Sequence, residues 1–112
     1  MSETHPAIDF DTMQTTAAQA CALLKVLANP DRLLLMCQLS QGELSVGELD
    51  TQLGIRQPTL SQQLGVLREN GLVTTRRDGK NIFYSVASPE ALAIMAVLYE
   101  QFCANATSGA AC

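Results

Sequence analysis

Two groups of side chains in this 112-residue chain are suited to chemistry: four thiols and a polar cluster around one proline. The thiols are Cys21, Cys37, Cys103 and Cys112, and no pair has C-x-x-C spacing. Distant cysteines can bridge, accept sulfur or ligate a soft metal ion, but each can equally be a small buried hydrophobe. The second reading suits Cys21, which lies among alanines, while Cys112 ends the chain. The polar cluster is Gln57, Thr59, Ser61 and Gln62, whose amides and hydroxyls can hydrogen-bond base edges. Around it stand Arg56, Arg68, Arg76, Arg77 and Lys80, cations suited to phosphates. Without C-x-x-C or an acid–base partner for a thiol, no enzyme and no cofactor are expected.

The net charge of −4 hides a strong asymmetry. Residues 51–88 hold those five cations against Glu69 and Asp78, a local charge of +3, while the remainder sets Lys25 and Arg32 against nine acids. Contacts to nucleic acid are made by a local face, and an acidic remainder weakens non-specific adhesion. The pattern points to duplex DNA as a partner. No run approaches the ~20 apolar residues of a membrane span, and Met1–Asp11, with Glu3, Asp9 and Asp11, lacks the regions of a signal peptide. A cytoplasmic location without membrane contact is expected.

Start signals organise the rest of the chain. Asn29-Pro30, Gln57-Pro58 and Ser88-Pro89 each place proline at a first helical position behind a capping residue, and Ser45 with Glu48 fits a capping box. These marks predict helices over 13–28, 30–39, 46–53, 58–70 and 89–104, with Gly42, Gly54 and Gly71 closing three of them. In the fourth, Leu60, Leu64 and Leu67 share a buried side, which turns Thr59 and Gln62 outward with Ser61 beside them. Between the last two helices, Leu72–Arg77 and Lys80–Val86 flank Asp78-Gly79, a hairpin signal, and Ile82, Tyr84 and Val86 alternate so that one face packs on the body.

The expected architecture is mainly α with a β-hairpin wing: a winged helix-turn-helix in the order α-α-α-α-β-β-α. It fills residues 13–104, between flexible tails at 1–12 and 105–112. The first and last helices are apolar over most of their circumference, through Leu23, Leu24, Val26 and Leu27 in one and Leu92, Val97, Tyr99 and Phe102 in the other. One small domain cannot cover both, so a homodimer built on these two helices is expected.

Ala28-Asn29-Pro30-Asp31-Arg32-Leu33, Leu49 through Leu67 and the wing Arg76-Arg77-Asp78-Gly79-Lys80 resemble the ArsR/SmtB family of dimeric bacterial repressors across roughly residues 16–104. The resemblance implies a repressor that occludes operator DNA until an inducer acts. Ser45-Val46-Gly47 stands where many metal-sensing members carry Cys-Val-Cys, and the last helix offers Glu90 and Glu100 without histidine. The sole histidine is His5, so neither familiar metal site can be assembled and none is expected.

The placement of Cys37 and Cys103, with Glu43-Leu44-Ser45-Val46-Gly47-Glu48-Leu49, is similar to the sulfide- and persulfide-responsive subgroup of BigR/SqrR type. That similarity implies that Cys37 and Cys103 become joined by a disulfide or polysulfide bridge when persulfide, polysulfide or another oxidant reacts with them, releasing DNA. The alternative is a repressor of the same fold that senses As(III) or another thiophilic ion through the same two thiols.

Overall fold

The computed structural model describes residues 9–103, the last by its backbone alone. His5, Ala104, Cys112, the Cys103 thiol, residues 1–8 of the tail expected at 1–12 and the whole tail expected at 105–112 lie outside the described residues. Within them the order is α1 (Phe10–Leu27), α2 (Pro30–Leu39), β1 (Leu44–Ser45), α3 (Val46–Leu53), α4 (Thr59–Glu69), β2 (Val73–Asp78), β3 (Asn81–Val86) and α5 (Pro89–Leu98). A π-helical turn, Tyr99–Cys103, continues α5. The winged helix-turn-helix expected from the sequence is the observed architecture.

Local chemistry sets most boundaries. Asn29 Oδ1 accepts from the Arg32 amide at 3.1 Å and Ser88 Oγ from the Ala91 amide at 3.1 Å, so both prolines enter the first turns of α2 and α5 as expected. The Ser45–Glu48 box is complete, with contacts of 3.1 and 2.8 Å. Gly54 ends α3 at φ 70°, a left-handed conformation that needs no Cβ.

Several expectations require correction. Asp9 caps the Thr12 amide at 2.7 Å, which starts α1 at Phe10, three residues before the expected Met13 and inside the expected tail. Pro58 stands at the cap of α4 rather than inside it, and the Gln57 side chain bonds the Ser61 amide instead. Gly79-Lys80, flanked by the Asp78–Asn81 pair, forms the wing turn, one position beyond Asp78-Gly79. The last helix leaves α geometry after Leu98 rather than running regularly toward Ala104.

A two-residue strand carries no signal in the sequence, because its length allows no alternation. β1 pairs antiparallel with β3, Leu44 opposite Tyr84 and Ser45 opposite Phe83, giving a sheet ordered β1-β3-β2. The wing is therefore fastened to the turn that leads into α3.

The core collects Leu35 and Met36 of α2, Leu49 of α3, Leu60, Leu64 and Leu67 of α4 and Met95 of α5, all fully buried. The three leucines of α4 are the expected stripe. Tyr84 and Val86 pack on this core, whereas Ile82, near the wing tip, is exposed. In α1 only Val26 and Leu27 are buried, leaving Phe10, Met13 and Leu24 exposed, and α5 with its extension exposes Leu92, Val97, Tyr99 and Phe102. No described helix is long and apolar enough to cross a membrane.

Candidate nucleic-acid interface and thiol site

Burial of the leucine stripe fixes what α4 presents outward. Ser61 and Gln62 are exposed, Thr59 is half-buried, and Gln57 is exposed just before the first turn. Gln57 Oε1 accepts from the Ser61 amide at 3.1 Å, satisfying one of the free N–H groups of the helix start. That bond orients the amide: Oε1 keeps one lone pair while both N–H donors stay unused, so Gln57 meets a ligand chiefly as a donor. Such a donor suits guanine O6 or N7, thymine O4 or a phosphate oxygen.

Two side-chain links that the sequence did not reveal tie α2 to its neighbours, one of them to α4. Arg32 donates from Nε to the Val26 carbonyl at 2.6 Å and from Nη1 to Gln63 Oε1 at 2.9 Å, joining the last turn of α1 to the middle of α4 through α2. Gln38 of α2 donates to Gln52 of α3 at 2.6 Å. No local pattern signals either pairing; only the neighbouring Asn29-Pro30 start hinted that Arg32 sits at a junction.

The five candidate phosphate cations occupy different environments. Arg68, Arg77 and Lys80 are exposed and form no ion pair among the described residues. Arg56 lies 3.5 Å from Asp50, but its side chain is 82% exposed, so solvent screens the pair. Arg76 is engaged: Nε and Nη2 donate to the two Glu43 carboxylate oxygens at 2.8 Å each, and the guanidinium lies 4.6 Å over the Phe83 ring. The Arg76 hydrogen bonds hold the Glu43 carboxyl below the usual carboxylate range. The pair is thus intact at neutral pH and is lost as acidity passes through that lowered value.

Cys37 is half-buried on α2, its Sγ 3.9 Å from Met95 Sδ. It borders an open groove of about 840 Å³ between the end of α2 and α5, with Ser40, Gln41, Tyr99 and Glu100 among its walls. Burial pushes the Cys37 thiol up from its ordinary value, since desolvation disfavours the thiolate. The native state therefore favours the protonated thiol, and the stability this brings is complete at neutral pH and is lost as pH rises through the folded value. Alkylation of Cys37 by iodoacetamide, followed by mass spectrometry, is expected to keep accelerating above pH 9; a plateau below pH 8 would contradict this.

Cys21 is exposed on α1, away from this groove. Among the described residues no cluster of three or more His, Cys, Asp or Glu is placed to hold a metal ion. Ser45, the first residue of the Ser45-Val46-Gly47 stretch, spends its hydroxyl on capping α3.

Residues 29–75 match the family model described as bacterial regulatory protein, arsR family. The biofilm growth-associated repressor of Agrobacterium fabrum is 56% identical over 97 residues, which cover 87% of this chain and 83% of that protein. Among solved structures, the transcriptional repressor BigR from Xylella fastidiosa superposes with a TM-score of 0.79 at 51% identity, over 86% of this chain and 98% of that one. Reduced HlyU from Vibrio cholerae superposes with a TM-score of 0.79 at 43% identity, over 81% and 96% respectively.

Proposed function

We infer, for a chain that belongs to the arsR family of bacterial regulatory proteins, a homodimeric transcriptional repressor whose grip on operator DNA is controlled by thiol chemistry at Cys37 and Cys103. The dimer is built on α1 and α5, whose exposed Phe10, Met13, Leu24, Leu92 and Val97 offer apolar side chains to a partner. Each protomer offers α4 to a major groove, with Gln57, Thr59, Ser61 and Gln62 reading bases and Arg56, Arg68, Arg77 and Lys80 holding phosphates.

Cys37 is the observation that carries the switch. Its half-buried thiol faces Met95 of α5, and the same helix continues through a π-helical turn to Cys103. A persulfide R–S–SH gives its outer sulfur to the Cys37 thiolate, forming Cys37–S–SH and releasing R–SH. The Cys103 thiolate then attacks the Cys37 sulfur, closing a disulfide and expelling hydrogen sulfide. Longer polysulfide donors leave extra sulfur in the bridge. A disulfide holds its two Cα atoms within ~7 Å, so the bridge ties α2 to the end of α5. Because α2 also braces α4, a bridge that repositions α2 shifts the recognition helices off their half-sites.

The test is a gel shift on the DNA upstream of the protein's own gene, with reduced and persulfide-treated protein. Wild type should release DNA on treatment, while Cys37→Ser and Cys103→Ser should stay bound. Release by both variants would sink the dithiol switch.

A further inference from the structure

Glu43 lies immediately before β1, at one edge of the sheet, and Arg76 lies on β2, at the other. Their side chains meet across the central strand β3, where Ser85 Oγ comes within 3.5 Å of the same carboxylate and the Phe83 ring lies under the guanidinium. Arg76 Nη1 also stands 4.0 Å from Asp78. The Nε/Nη2 edge, which would otherwise take a phosphate in a two-point contact, is thus filled from within the molecule. Strand alternation adds a second observation: Arg76 and its partner Phe83 project from one face of the hairpin, while Arg77 projects from the other, with core-packed Tyr84 and Val86.

We propose that Arg76 is a positioning residue for DNA binding and not one of its phosphate contacts. Glu43 and Arg76 form a clasp over β3 that fixes the angle of the wing to α4, and the wing's phosphate contacts fall to Arg77 and Lys80. This assignment uses the DNA-binding face proposed above and is independent of the thiol switch. It also gives Glu43, an acidic residue beside a DNA-binding face, a reason to be there.

Operator affinity measured across a salt series tests the clasp, using the full chain carrying Glu43→Ala, Arg76→Met, both together, or Arg77→Ala. On charge alone, Glu43→Ala removes an anion from the DNA side and should tighten binding. The clasp requires the opposite, a weakening of about two- to fivefold, the range of a single exposed ion pair. Arg76→Met should weaken binding by a similar factor, and the double variant should be no worse than either single one. Neither should change the salt dependence, whereas Arg77→Ala should flatten the slope of log K against log salt by about 0.9 for each phosphate left without its cation. Tighter or unchanged binding by Glu43→Ala overturns the proposal, as does a slope in Arg76→Met flattened like that of Arg77→Ala. If wild type shows no salt-dependent operator binding, the DNA-binding assignment itself fails.

Discussion

Gln57→Glu is expected to leave the fold intact and to weaken operator binding roughly 5- to 100-fold at each half-site, the range of one base contact. In the wild-type chain the amide oxygen accepts from the Ser61 amide of α4, and Gln57 is otherwise exposed. A carboxylate accepts that amide at least as well, and a negative charge at a helix N-terminus is favoured by the helix dipole. The substitution therefore removes only the donor and sets an anion against phosphates and base acceptors. Thermal denaturation should give a midpoint equal to or above that of wild type, while fluorescence anisotropy with operator DNA shows the loss. Unchanged affinity would remove Gln57 from the reading set.

Leu60→Ala should show the reverse signature. Leu60 is fully buried in the first turn of α4, directly between Thr59 and Ser61. Truncating such a leucine costs about 2–5 kcal/mol, from lost burial and from the cavity left behind. Domains of this size are stabilised by only about 5–15 kcal/mol, so the denaturant midpoint should fall sharply. Its slope should stay constant if the native state keeps its extent. Affinity for DNA should fall only as far as the folded population does. A loss under about 1 kcal/mol would mean that the core under α4 refills the space, contrary to the close packing of Leu60, Leu64 and Leu67.

Much of this molecule is legible in short stretches of sequence, because the physics involved is short-ranged. A capping box spans four residues, a proline start two, and the leucine stripe of α4 two turns; the box, the starts of α2 and α5 and the stripe all lie where the residues indicate. The Gln57-Pro58 start differs by one position because an amide side chain, rather than the residue before proline as a backbone cap, serves that helix. The contacts that give no sequence signal are the distant ones: Arg32 with Gln63, Glu43 with Arg76 and Cys37 with Met95, separated by 31, 33 and 58 residues. The phosphate role that sequence suggests for Arg76 comes from its charge and its place in the wing. The carboxylate that occupies it is visible only once the chain is folded. The pairing of Cys37 with Cys103 comes from family resemblance, since two separated cysteines carry no such information themselves.

The Arg32 guanidinium has a consequence for how this protein measures DNA. One planar group grips a carbonyl at the end of α1 and an amide in the middle of α4. In the proposed dimer, α1 is part of the subunit contact. The span between the two recognition helices is then set like the gap of a caliper, by the closure of the joint and by a single stiff link in each arm. Such an instrument is read at its jaws but calibrated at its hinge, so residues that never approach DNA decide which half-site spacing fits.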